Sequence, residues 1–178
     1  SKGSNAIIHA GFGFEGDLIN KLIVSGNKLL NKLSQELDFP FNHVGELVVA
    51  KNNNEVKALE MLKSQAENNG AKGLKIIDGE ELRKIEPNLT KEAKWGLYAP
   101  SGGCINPFDL VIALVENAQK NGVKVLLNTE VINIYEEGNS KHTVLETNRG
   151  SIQTRFVVNA AGLWSNEIAK MVNKDSFK

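Results

Sequence analysis

The run Phe156-Val157-Val158-Asn159-Ala160-Ala161-Gly162-Leu163-Trp164-Ser165 sets three small residues between an apolar stretch and a helix start. Read as a buried strand turning into a helix, it would bring backbone amides against a phosphate-bearing cofactor. The same small residues would also serve plain strand-to-helix packing, and on physical grounds the two readings stand about level. His9 is a second group with chemistry to offer, because an imidazole exchanges a proton near neutral pH and could polarise or deprotonate a substrate hydroxyl. A histidine held by hydrogen bonds in a loop is an equal reading. Trp95 and Tyr98 lie three apart on a strand-like run and so point to opposite faces; only one can line a pocket, and Tyr98 is taken as that one. Cys104 follows Ser101-Gly102-Gly103, yet no neighbouring His or Asp is placed to activate it, and it reads as a small loop residue. His43 reads as structural and His142 as solvent-exposed.

The elements that must position these groups follow from spacing and punctuation. Ser1 to Phe14, rich in Ser, Gly and Asn around Ala6-Ile7-Ile8, predicts a ligand-facing loop. Leu18, Leu22, Leu29, Leu33 and Leu37 give a helical stripe over 17–37, with Asp17 as cap and Gly26 as a point of close packing. Phe39-Pro40 ends it, His43 to Ala50 reads as a strand, and a helix over 54–69 puts Val56, Leu59, Leu62 and Ala66 on one face before Gly70. Asp78-Gly79-Glu80-Glu81 resembles a capping box, for a short helix ending near Pro87. Trp95 to Ala99 reads as a strand, and Pro100 to Cys104 as a turn whose backbone something approaches. Asn106-Pro107 supplies a cap and a first-turn proline for a helix closed by Gly122. Strands over 123–127, 131–135, 141–147 and 152–159 follow, with turns at Glu137-Gly138-Asn139 and Asn148-Arg149-Gly150, then a helix from Ser165 to Val172.

Composition narrows the classes. Hydrophobic residues make up 41% and charged residues 24%, the balance of a chain with a real core, and 178 residues suffice for one core or two small lobes. Basic and acidic residues number 21 each, so no global field attracts a nucleic acid. A single cysteine excludes an internal disulfide and fits a reducing cytoplasm, and the three histidines are too scattered to suggest a metal. No stretch approaches the roughly 20 apolar residues that span a bilayer.

Asn159 to Trp164 resembles the second FAD-contacting strand of the D-amino-acid oxidase superfamily, whose members carry an Asn-Ala-Ala-Gly-like sequence before a Trp. The opening Ser1-Lys2-Gly3-Ser4-Asn5-Ala6-Ile7-Ile8-His9-Ala10-Gly11 resembles the loop beside flavin and pyrophosphate in the glycerol-3-phosphate dehydrogenase and L-2-hydroxyglutarate oxidase branches. Here Ser4 precedes Asn5, where those relatives usually place Asn first. Tyr98 to Pro107 resembles the return from the substrate-covering domain to the cofactor domain. Asn128-Thr129-Glu130-Val131 is similar to the strand start whose valine backbone pairs with the adenine edge. The resemblance includes a phosphate-cradling loop on a first strand and an acidic partner for the adenosine ribose. The resemblance places them before Ser1, and closing strands after Met171, so an internal fragment that is inactive and flavin-free by itself is expected.

The resemblance implies an α/β (α+β) fold: a partial FAD/NAD(P)-binding domain, residues 1–37 and 106–178, with an inserted mixed-sheet substrate (cap) domain, residues 38–105. It implies FAD as cofactor of the full-length protein, held by Ser1, Lys2, Ser4, Asn5, Ala6, Val131, Ala160, Ala161, Gly162 and Trp164, with His9 catalytic and Tyr98 against the substrate. A solvated lysine is the plainer reading of Lys2. The reaction implied is hydride transfer from a hydroxyl-bearing carbon to flavin while a base takes the hydroxyl proton. Glycerol 3-phosphate is the favoured substrate, L-2-hydroxyglutarate the alternative, and a non-catalytic cap or interaction module the reading from another class. Arg83, Arg149 and Arg155 have no evident claim on a substrate phosphate. The electron acceptor stays open among quinone, oxygen and another protein. The location implied is cytoplasmic, compatible with peripheral association at the inner face of the membrane.

Overall fold

A computed structural model describes residues 3–13, 17–136 and 142–172. Ser1, Lys2, Phe14, the side chain of Asp17 and the turn expected at 137–139 lie outside the described residues. The chain divides into two compact units, Ser1–Val123 and Lys124–Lys178.

The first unit is organised by an antiparallel sheet of order β3-β5-β4, made of β3 (Glu46–Ala50), β5 (Trp95–Ala99) and β4 (Lys75–Asp78). Both described pairings are antiparallel, where a mixed sheet is expected of residues 38–105. Helix α2 (Asn53–Asn68) buries Leu59 and Ala66 on one face of it, together with Ala50, Leu97 and Ala99, and Val56 and Leu62 pack on the same cluster. That is the face its apolar spacing indicates. Helix α3 (Gly79–Ile85) covers the other face through Leu82, with Ile77 and Ala93. The central strand β5 therefore faces apolar layers on both sides. Strand β4 was not anticipated, because Lys75-Ile76-Ile77-Asp78 is too short to show a period.

A smaller sheet, β1-β6-β2, joins β1 (Ile7–Ile8) and β2 (Phe41–Asn42) to opposite edges of β6 (Gly103–Ile105). Cys104 pairs with both neighbours and is a strand residue, not the loop residue its Gly-rich approach suggests. Helix α1 (Asp17–Leu37) has the expected extent but not the expected buried face. Asn20, Val24 and Asn27 are buried, whereas Leu18, Leu22 and Leu29 are exposed. Spacing identifies stripes on a helix; which stripe is covered depends on what the rest of the chain offers it. Gly26 meets no neighbour, so the close packing expected there is absent. Helix α4 (Pro107–Lys120) begins as read, with Asn106 Oδ1 accepting from the Phe108 amide at 3.0 Å and proline in the first turn. Gly70 and Gly122 both take positive φ after their helices.

The second unit is a three-stranded antiparallel sheet, β7 (Val131–Glu136), β8 (Thr143–Thr147) and β9 (Gly150–Thr154), followed by a short 3-10 turn, Gly162–Trp164, and helix α5 (Ser165–Met171). The Asn148-Arg149 turn closes the β8–β9 hairpin where expected. Its core is Ile134, Val144 and Ala169. Two expectations are corrected: the strand over 123–127 is absent, and the one over 152–159 ends at Thr154, leaving residues 156–159 irregular, with Leu127, Phe156 and Val158 exposed. No described strand pairs with either run, and an apolar segment without a hydrogen-bonding neighbour or covering layer gains nothing by extending. No described helix is long and apolar enough to cross a membrane.

Asp78 caps α3, its Oδ1 accepting from the Glu80 and Glu81 amides at 2.9 Å each. The Glu81 bond above all, opposed by desolvation and assisted by the Glu80 bond and the charges of Lys84 and Arg83, holds the Asp78 carboxyl below its ordinary 3.8. A carboxyl with lowered folded pKa binds a proton less readily folded than unfolded. Its contribution is therefore complete above 3.8 and is lost as pH falls through the lower folded value. Thermal melts of Asp78→Ala should show a lower midpoint than the parent at neutral pH, with the gap closing in acid; a gap independent of pH would contradict the cap.

Candidate functional site

Four segments of the first unit converge on His9. Strand β1 ends at Ile8, paired with Gly103, and delivers His9 beside the first residue of β3. His9 Nδ1 lies 2.8 Å from Glu46 Oε1, and the Ala10 amide donates to Glu46 Oε2 at 2.9 Å. One carboxylate thus uses both oxygens on two consecutive residues of the loop. From α1, Asn27 Nδ2 donates to the His9 carbonyl at 3.2 Å and to the Ser101 carbonyl at 2.7 Å. The Gly45 amide donates to the Gly102 carbonyl at 3.0 Å, joining the start of β3 to the turn before β6. The Glu46 and His9 side chains are 18% and 29% exposed, so the pair is only partly hydrated and its charge-assisted bond is worth more than at an open surface.

The turn expected at Pro100–Cys104 is the place where a backbone is approached, and the approaching group is Glu46 itself. A Cβ built on Gly102 would stand 2.5 Å from Glu46 Cβ and 2.8 Å from its amide nitrogen. Only glycine lets these two segments close. Buried Asn20 and Asn27, seven apart on α1, were the sequence's trace of a polar seam, and Glu46 at the head of an apolar strand was its other trace. Neither names its partner, so Asn27 and Glu46 were missed as members of a site.

The remaining candidates take separate places. Tyr98 pairs with Leu47 while Glu46 pairs with Ala99, so Tyr98 and Glu46 project from opposite faces of the sheet. Tyr98 packs with Leu47 and Val49 over the Leu82 cluster, and its ring lies against Gly45. The structure therefore does not bring Tyr98 to the His9 side. Ser4 Oγ accepts from the Ala6 amide and Asn5 Oδ1 from the Ile7 amide, each at 3.1 Å, and Ala6 has a φ of 65°. Those two amides are satisfied within the loop, which leaves the Ser4 hydroxyl proton and Asn5 Nδ2 as its side-chain donors.

In the second unit, Val131 opens β7, an edge strand on which alternate main-chain groups point away from β8. Ala160, Gly162 and Trp164 are exposed and Ala161 is half-buried. Asn159 shapes the turn, accepting from the Ala161 amide at 3.2 Å and donating from Nδ2 to the Ser165 carbonyl at 2.8 Å. Gly162 has a φ of 59° and open space where a Cβ would stand, so a flat or anionic group can reach its backbone.

A family model described as FAD dependent oxidoreductase, DAO, matches residues 1–177. The chain is 38% identical over 179 residues to the glycerol 3-phosphate dehydrogenase of Caloramator mitchellensis, covering all of this chain and 37% of that protein. It is 30% identical over 174 residues to the L-2-hydroxyglutarate dehydrogenase of Indibacter alkaliphilus, covering 97% of this chain and 43% of that protein. The dithionite-reduced L-alpha-glycerophosphate oxidase of Mycoplasma pneumoniae, solved with FAD bound, superposes with a TM-score of 0.80 at 27% identity over 94% of this chain and 45% of its own. The chain thus spans about two fifths of the length of the curated relatives it matches.

Gly102→Ala forces a methyl group against the backbone of Glu46 and Gly45, which cannot swing aside as a side-chain tip could. A loss of about 1–3 kcal/mol in denaturant unfolding is expected, the usual scale of overpacking. Wild-type stability in that variant would show that the Glu46 approach is looser than the geometry states.

Proposed function

The chain belongs to the FAD-dependent oxidoreductase family DAO, and on that premise we propose that the whole protein is a flavoprotein dehydrogenase of glycerol 3-phosphate. The observation that carries the substrate is the 38% identity, over the full chain, to a glycerol 3-phosphate dehydrogenase. The 30% identity to an L-2-hydroxyglutarate dehydrogenase supports a 2-hydroxy acid as the second reading. In either case the substrate is a small molecule with a secondary alcohol.

The residues present fit FAD at two exposed places. Ser4, Asn5 and Ala6 would meet it from the histidine loop, and Val131, Ala160, Ala161, Gly162 and Trp164 from the second unit, where the Gly162 backbone is uncovered. Bound FAD would supply an acceptor for the two electrons of the alcohol carbon. His9 would receive the hydroxyl proton, with its Nδ1 bonded to Glu46 and its Nε2 as the basic nitrogen. Residues 38–105 would form the cap between two stretches of flavin domain, a division supported by the containment of β3, α2, β4, α3 and β5 within 46–99. Tyr98, on the face opposite Glu46, would stand apart from a substrate held at His9 and act as a packing residue against Gly45 and Leu47. A cytoplasmic location, with or without contact at the inner face of the membrane, is part of the same proposal and rests on the resemblance.

The whole protein, purified and assayed with an artificial dye, should carry flavin and oxidise glycerol 3-phosphate faster than L-2-hydroxyglutarate or an amino acid. Preference for 2-hydroxyglutarate would move the assignment to the second reading; oxidation of an amino acid alone would overturn both. A flavin-free, inactive protein would make it an interaction module. His9→Ala should lower turnover by about 10²-fold or more with flavin content unchanged, the scale of a general base. Loss of flavin with unaltered turnover per bound flavin would assign His9 to cofactor retention instead. Tyr98→Phe should leave KM and kcat within about twofold of wild type; a severalfold rise in KM at constant kcat would restore Tyr98 to the substrate wall.

A further inference from the structure

We propose that Glu46 is a positioning residue for proton abstraction: its carboxylate accepts the Nδ1 proton of His9 and the amide proton of Ala10, fixing both the tautomer and the place of the imidazole. The inference rests on the reading of His9 as the base. Glu46 is 37 positions away in sequence and reaches His9 from a different element, the first residue of β3.

Three observations carry it. Both carboxylate oxygens are used on adjacent residues of one loop, at 2.8 and 2.9 Å, so the group fixes the ring and the backbone that bears it together. Asn27, only 6% exposed, holds the carbonyl of the same histidine and ties it to Ser101. Gly102 then provides the space without which Glu46 could not stand where it does.

The chemistry follows from the donor count. A carboxylate has no proton to give, so a neutral His9 facing it through Nδ1 carries its proton there, the minor form of histidine in water. The lone pair then lies on Nε2. When Nε2 takes the hydroxyl proton, the ring becomes an imidazolium, and the Glu46 charge 2.8 Å away offsets the positive charge it gains. A carboxylate in this place therefore favours the state formed during the reaction over the neutral ring before it.

The test is made on the whole flavoprotein. In 15N NMR with labelled histidine, His9, assigned by its loss in His9→Gln, should appear in the wild type as the Nδ1-protonated neutral tautomer. A neutral ring protonated on Nε2 overturns the proposal without any variant at Glu46. Glu46→Gln should lower kcat by roughly ten- to a hundredfold, within the range of general-base effects, with KM within about twofold and flavin content unchanged. The double variant His9→Ala/Glu46→Gln should be no slower than His9→Ala alone, because a group that acts through another has nothing left to act on. Multiplying effects in the double variant, or wild-type turnover in Glu46→Gln, would sink the assignment. If His9→Ala itself proves as fast as wild type, the base reading fails, and the proposal with it, whereas the tautomer still reports whether Glu46 orients the ring.

Discussion

The two oxygens of the Glu46 carboxylate set the constraint on which the arrangement of the first unit depends. A partly buried carboxylate is stable only when its lone pairs are met, and here they are met by a side chain and an amide from one loop. For that to happen, the loop must arrive along β6, the turn before β6 must contain glycine at 102, and α1 must present an amide toward the same backbone. Each requirement is satisfied by a different segment. The site is thus a junction where the chain's long-range closures coincide, which is also why its geometry is well defined without a metal or disulfide among the described residues.

The sheet β3-β5-β4 turns that junction into a division of labour. Side chains alternate between its faces, so Glu46 and Ala99 look toward α2 and the histidine loop, whereas Leu47 and Tyr98 look toward α3. The apolar clusters on both faces make the sheet a rigid plate, and the carboxylate stands at its edge. Functional groups on packed strands hold their positions better than groups on loops alone, and the loop residue His9 borrows this rigidity through Glu46.

The second unit works by different means. Its hairpin sheet and short helix enclose a small core, and Leu127, Phe156, Val158 and Trp164 remain exposed. Asn159 nevertheless shapes the turn that displays Ala160 to Trp164, with one oxygen and one nitrogen on two backbone groups six residues apart or fewer. Those two bonds give a reason for so polar a residue at the end of an apolar run: it shapes the backbone of the turn that follows.

Signals confined to a few neighbouring residues were legible in the sequence. Asn106-Pro107 starting α4, Asp78 capping α3, the extent of α1, the strand Trp95–Ala99 and the hairpin at Asn148-Arg149 all depend on hydrogen bonds or torsions within a turn or two. The family resemblance was legible for the same reason, since its motifs are short and contiguous. What the tertiary structure alone decided are the choices among partners that local spacing leaves equal: that α1 buries Asn20, Val24 and Asn27 instead of its leucines, that residues 123–127 and 156–159 are not strands, and that Tyr98 and Glu46 stand on opposite faces. The bonds from His9 to Glu46 and from Asn27 to Ser101 span 37 and 74 positions. A residue's type states what bonds it can make, but its partner at such a distance is set by the closure of the whole chain, and that closure is where the site was decided.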